Sequence, residues 1–281
     1  MSDILRYKYL PIDGSFQAPF DKKGSLSIIR DGTIKFSHPK EFNDPFDCYP
    51  EIDIQKVVSH ASKKKHHFKL IGYYQGLSPA QRIQEKPKQL KRLEKGWNDK
   101  SFTNLINDQI GICCLSRNPL NLLLWAHYAT KHTGFVIEFS IPTESTSCDI
   151  DTAYYLTPLR VDYSTVKPVI TSGASDEFDK YFLTKGRDWE YEQEERVIYF
   201  NKKSGIHPYN RNRLLKSVIA GMNMNELDSI ILKNAIDDVN EKHGTNITIH
   251  KAAPIPGEFA LFVPGRDDLN IHNLVNSRDA L

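Results

Sequence analysis

The sequence predicts an α+β fold on three observations. Short alternating strands and turns fill the first forty-odd residues, a strand–helix–strand run occupies the middle, and an αβ unit follows near the end. Of the 281 residues, 40% are hydrophobic, 26% charged and 11% aromatic. Such values suit a globular protein and exclude a collagen, a disordered acidic tail, a disulfide-rich mini-protein and a membrane bundle. No run approaches the roughly 18 apolar residues that span a bilayer. Met1–Tyr7 lacks the apolar core of a signal peptide, so the expectation is a cytoplasmic protein with no membrane partner. The length allows two domains or one elaborated one. The expected layout is a single α+β domain over residues 1–262, a basic helical insert at about 60–100, and a peripheral C-terminal extension at 263–281.

The elements follow from pattern. Leu5–Leu10 alternates as a strand ended by Pro11. Leu26–Gly32 reads as a short helix or strand stopped by Asp31-Gly32, and Thr33–Ser37 as a second strand. A polar loop, Phe42–Asp47, comes next. Gly111–Ser116 reads as a buried strand and Leu120–Ala129 as an apolar helix, with Asn118 as its cap and Pro119 in its first turn. Phe135–Phe139 is another strand, Ser175–Lys185 a helix, and Trp189–Phe200 a long strand. The closing unit comprises Leu214–Gly221, a helix near Asn225–Asn240, and the strand Asn246–His250.

Cys48, Cys113, Cys114 and Cys148 form no CxxC pair, which argues against a zinc knuckle or a thioredoxin-type site. They read as reduced thiols, with Cys113 and Cys114 as small core hydrophobes. The net charge of +2 conceals an asymmetry. Residues 63–95 hold ten Lys or Arg against Glu85 and Glu94, so a +8 segment sits on a −6 remainder. It is either a solvated helical face or a patch for phosphate or nucleic acid.

Three arrangements suggest chemistry. In a strand covering Trp189–Phe200, Glu192, Glu194, Arg196, Ile198 and Phe200 share one face. Two neighbouring carboxylates repel, and that raises the pKa of one of them, as a general base requires. The alternative is a charged edge strand. Within Trp125-Ala126-His127-Tyr128, His127 and Tyr128 lie off the apolar stripe and point either into a cleft or to a structural role. Neither Thr130 nor Lys131 supplies a second metal ligand, so no metal is expected. Asn43-Asp44-Pro45 is either an Asx-type turn or a loop over a ligand. Lys8 and Ser116 are further candidates at the strands. No GxSxG, Walker loop or GxGxxG occurs, which removes the nucleophile-elbow, P-loop and Rossmann readings.

A set of segments, taken in order, carries a resemblance. They are Tyr7-Lys8-Tyr9, Phe42-Asn43-Asp44-Pro45-Phe46, Cys114-Leu115-Ser116, Trp125-Ala126-His127-Tyr128, Gly134–Phe139, Lys185, Trp189-x-Tyr191-Glu192-x-Glu194-x-Arg196 and Val218–Gly221. Together they resemble the large bacterial family known as domain of unknown function 2971, over residues 4–262. Many members open with a strand bearing His-Tyr-Thr, a short helix and a Gly turn, which is similar to the start of the ADP-ribosyltransferase fold. The resemblance implies a split, strongly bent sheet with flanking helices and NAD as substrate. It also implies, at family level, a toxin or phage-defence effector. Lys8 and Tyr9 fall on the first strand, Ser116 on the central one, and Glu192 and Glu194 match the late Glu-x-Glu; Lys8 stands where that fold holds NAD with His or Arg.

The expected site has Glu192, Glu194 and His127 as catalytic residues. Lys8, Tyr9, Asn43, Asp44, Ser116, Tyr128, Lys185, Trp189 and Arg196 are its ligand contacts. Tyr128 or Tyr9 would stack on nicotinamide, and Arg196 or Lys185 would meet the pyrophosphate. The implied partners are a small-molecule nucleotide and a nucleic-acid or protein acceptor on the 63–95 segment. One alternative is a nuclease, metal-dependent or metal-free, using Glu192, Glu194, His127 and Asp44, with the basic insert feeding nucleic acid to the site. Another is a non-catalytic module that senses a nucleotide or binds a partner.

Overall fold

The computed structural model describes residues 3–17, 24–64, 66, 69, 73, 75–143, 153–173, 177–200 and 203–270. Cys148, Lys65, Phe68, Leu70, Ile71, Tyr74, the start of the helix expected at Ser175, and residues 271–281 lie outside them. The chain is mixed α+β around one seven-stranded sheet. Across that sheet the strands run Thr248–Lys251, Leu215–Ala220, Phe135–Ile141, Ile4–Leu10, Ile110–Ser116, Glu194–Phe200 and Leu159–Arg160. Only Thr248–Lys251 and Leu215–Ala220 are parallel, as expected when the helix Glu226–His243 carries the chain between them. The first strand pairs with Phe135–Ile141 over seven positions but with Ile110–Ser116 at one, Tyr7 opposite Ser116. The sheet is thus joined at its middle by a single residue pair.

Alternation on the strands sorts the core onto two faces. On one, Cys113, Leu115, Ile137, Phe139, Val197 and Val218 pack with Leu232, Ala235, Ile236 and Val239 of the Glu226–His243 helix. The other face carries two clusters. Tyr7, Tyr9, Val136 and Ile219 surround Trp125, which is fully buried on the helix Leu122–Tyr128. Ile110, Ile112 and Ile198 pack with Cys48, Trp97, Tyr181 and Phe182. Groups from both clusters wall one cleft on that face, and the polar residues of the Phe42–Asp47 loop enter it.

Several elements differ from expectation for local reasons. The apolar helix covers Leu122–Tyr128, and Asn121 caps it by accepting from the Leu123 and Leu124 amides at 2.9 and 3.1 Å. Asn118 instead accepts from Leu120 N at 2.8 Å, fixing the turn before the helix. Leu26–Gly32 resolves as a helix, Ser27–Arg30, and the 175–185 helix as Phe178–Phe182. The largest difference is at Trp189–Phe200. Arg187–Glu192 forms 3-10 turns, Gln193 is left-handed at φ +45°, and the strand starts only at Glu194.

Residues 263–270 are not peripheral. Val263 and Leu269 are fully buried, and Arg266 reaches the fully buried Glu138 at 2.8 Å. A buried carboxylate needs such a partner. The basic segment, expected as a helical insert, contributes a helix of twenty residues, Pro79–Asn98. Its N-terminus has a capping box formed by Ser78 and Gln81, and it packs on the helix Ile54–Lys63. Among the described residues, no helix is long and apolar enough to cross a membrane.

Candidate functional site

A cleft of about 200 Å³ opens on the face where the two leaves of the sheet meet. Its lining includes Lys8 and Tyr9 of the first strand, Ser116, Tyr128, Lys185, Trp189, Glu192, Glu194, and Asn43 and Asp44 of the polar loop. Ten of the twelve expected site residues are therefore gathered there.

Lys185 is the organising charge. It sits on the short strand Thr184–Gly186, and its Nζ lies 2.5 Å from Glu192 Oε2, 2.9 Å from Glu194 Oε2 and 3.8 Å from Asp47 Oδ2. The Trp189 ring centroid is 5.0 Å away, within cation–π range. Beneath it, the guanidinium of the fully buried Arg196 donates from Nε to Glu194 Oε1 at 2.8 Å and from Nη2 to Asp47 Oδ2 at 2.5 Å. Its Nη1 reaches Asp47 Oδ1 at 2.9 Å and the Phe182 carbonyl at 2.6 Å. Two cations thus face three carboxylates in a nearly dry pocket. Such a group persists because its members compensate one another's lost hydration.

The two glutamates end in opposite states. Burial raises the pKa of both. For Glu194, Arg196 and Lys185 together outweigh burial and hold the carboxyl far below its usual range. For Glu192, burial and the nearby Glu194 charge prevail over Lys185 and the Tyr128 hydroxyl, and its pKa is raised. The same pocket therefore shifts its two glutamates in opposite directions. Tyr128 OH donates to Glu192 Oε1 at 2.7 Å, and Asn43 Nδ2 donates to Tyr128 OH at 3.3 Å. The polar loop is thereby linked to Glu192. Burial first, and then the Glu192 charge, push the Tyr128 phenol well above its ordinary value.

The expectation that one strand face presents both glutamates is corrected. The left-handed Gln193 turns the chain between them, and the carboxylates converge through their shared lysine. Two further corrections follow. His127 is exposed and outside the cleft, because it lies about 160° around the helix from the buried Trp125; its ring is 6.4 Å from that of Tyr128. Arg196 is sealed behind the cleft, its donors committed to Asp47, Glu194 and Phe182, and cannot meet a pyrophosphate. Tyr9 lines the cleft with its ring already held from behind: its hydroxyl donates to the Asn118 carbonyl at 2.7 Å and the ring packs near-perpendicular to Trp125.

Some expected ligand contacts also perform local tasks. Ser116 Oγ donates to the Glu192 carbonyl at 2.7 Å, pinning the turn that carries Glu192. Asp44 Oδ1 accepts from Phe46 N at 2.8 Å, closing the Asx-type turn. Lys8 Nζ donates to the Cys114 carbonyl at 3.0 Å, across the junction of the two leaves. Cys113 is a core residue as expected, whereas Cys114 is only half-buried and lines the cleft.

Asp47 was missed, as were Glu41 and Phe42, although all three belong to or adjoin the polar loop already singled out. The signal for Asp47 was the charge balance: a buried Arg196 beside Glu194 still leaves guanidinium donors to satisfy. Among the described residues, no group of His, Cys, Asp and Glu is arranged to hold a metal. Comparison with known proteins finds no matching family model, no matching curated protein and no matching solved structure.

Proposed function

We propose that the cleft breaks the nicotinamide–ribose bond of NAD and passes the ADP-ribosyl group to an acceptor, in a fold of ADP-ribosyltransferase type. The observation that carries this reading is the pair of carboxylates on one ammonium, Glu194 held as an anion and Glu192 left with a raised pKa. When the C–N bond breaks, its electron pair leaves with nicotinamide and positive charge develops on the ribose. A fixed negative charge at Glu194, preorganised by Arg196 and Lys185, favours that charge. Glu192 accepts the proton of the attacking nucleophile as the new bond forms at the ribose carbon. Lys185 keeps the carboxylates together and stays protonated, since their charges prevail over burial and raise its pKa. Trp189 and Phe42 supply ring surface.

The nuclease alternative needs His127 beside the carboxylates, and an exposed His127 outside the cleft gives it no support. The test is nicotinamide release from NAD by the full chain, with and without a protein extract as acceptor. Glu192→Gln keeps the shape and the Tyr128 contact while removing the base. It should lower the rate by at least about 100-fold, the usual contribution of a positioned base. Wild-type activity should rise with pH through a midpoint above the ordinary carboxylate range, because the base works only when deprotonated. Absence of release by the wild type, or equal rates in the variant, rejects the reading.

A further inference from the structure

The Pro79–Asn98 helix carries a feature that the cleft does not use. At about 100° per residue, Gln81, Gln84, Lys88, Lys91, Arg92 and Lys95 fall within one arc of roughly 100°. All six are exposed. The opposite side of the helix packs on the protein towards its C-terminal end, where Trp97 is buried and Leu90 and Leu93 are partly buried, while Ile83 near the start is exposed. At about 1.5 Å per residue the stripe is roughly 21 Å long, with its cations in the C-terminal half. Glu85 flanks it, 3.1 Å from Lys88 and 3.5 Å from Arg92. Lys91 and Lys95 have no ion-pair partner among the described residues. No aromatic side chain stands in the stripe.

We infer that this stripe is a docking surface for the phosphate backbone of a double-stranded nucleic acid. Four cations and two amides in a line suit a dense row of anions, and a duplex presents one charge per roughly 1.7 Å of its axis. A single strand is the poorer fit, since sequence-tolerant binding of unpaired bases relies on aromatic stacking surfaces. An anionic membrane is also the poorer fit. Helices that lie in a bilayer surface bury a continuous apolar side in lipid, and here Leu93 and Trp97 of that side pack on the protein, leaving Ile83 as its exposed apolar residue. Contacts made to phosphate carry no base information, so binding through this stripe should be independent of sequence.

The experiment measures binding of the full chain to labelled 20-base-pair duplex DNA and duplex RNA of several sequences, by fluorescence anisotropy across 50–200 mM salt. Four phosphate contacts predict a slope of log K against log salt near −3.6 for DNA, a loss of roughly 100-fold over that range. Lys88→Gln/Lys91→Gln/Lys95→Gln preserves helix propensity and should bring the slope to about −0.9. An unchanged far-UV spectrum and melting temperature establish that this variant is folded. Equal binding of DNA and RNA points to shared backbone chemistry, and a preference for one identifies the natural duplex. Failure to bind either duplex at 50 mM salt overturns the inference. So does an unchanged slope in the triple variant, or tighter binding of poly-glutamate or of phosphatidylserine vesicles through the same lysines. None of these outcomes depends on NAD turnover.

Discussion

Lys185 decides whether the three carboxylates around it can share one pocket. Its ammonium lies between Glu192 and Glu194 and faces Asp47, and its own side chain is 7% exposed. Removing one member of such a group leaves uncompensated charge, which typically costs about 3–5 kcal/mol. Lys185→Met is therefore expected to lower unfolding free energy by that order, read from chemical denaturation. Glu192→Gln keeps an acceptor for Tyr128, loses the one for Lys185, and leaves two cations facing two carboxylates; with the charges still balanced, it should change the unfolding free energy less. Glu194 contributes a pH signature of its own. Its folded-state pKa is depressed, so its stabilisation is complete above the ordinary carboxylate range and is lost as pH falls below it. Glu194→Gln should flatten the acid side of the stability curve, measurable as melting temperature against pH between about pH 5 and 2. An equally steep curve in the variant would assign acid sensitivity to other carboxylates, with Glu177 the next to examine: its pKa is lowered to about 2 by Lys180 and by the Thr171 and Ser172 amides.

At the level of elements, the turn at Gln193 makes the site. It separates a 3-10 segment from a strand, and its left-handed backbone lets residues 192 and 194 address the same lysine. A β-branched residue tolerates that conformation poorly, so Gln193→Val should cost roughly 1–3 kcal/mol. Gln193→Gly should be tolerated in both stability and site geometry. This turn was also where pattern reasoning failed. Period-two alternation over Trp189–Phe200 looked like one strand, because a short irregular segment with charged residues gives no competing period. The strands Ile4–Leu10, Ile110–Ser116 and Phe135–Ile141 were legible, since each is apolar or alternating and ends at a Pro, a polar turn or a Gly. The helix Leu122–Tyr128 was legible too, but its cap was misplaced by three residues because Asn118 and Asn121 are equally good cap residues. Most of the cleft could be named in advance; Asp47 and the sealing of Arg196 could not, because both depend on contacts between residues about 150 apart in sequence.

Over the whole molecule, the C-terminal residues close the second face of the sheet. Arg266 meets Glu138 and Asp268, and Ser217 also hydrogen-bonds to Glu138 on the neighbouring strand. Arg266→Ala strands a fully buried carboxylate with only Lys216, at 3.5 Å, as a cation. A loss of about 3 kcal/mol is expected in denaturant unfolding. Arg266→Lys should recover part of it.

The single paired position between Tyr7 and Ser116 has a mechanical consequence. Four strands hang on one side of it and three on the other. Main-chain pairing across that seam is so thin that the two halves transmit load mainly through side chains, among them Lys8 gripping the Cys114 carbonyl. Those same side chains border the cleft. A molecule bound there would act as a rivet across two plates that the backbone barely stitches, and a rise in melting temperature on binding is the expected sign of it.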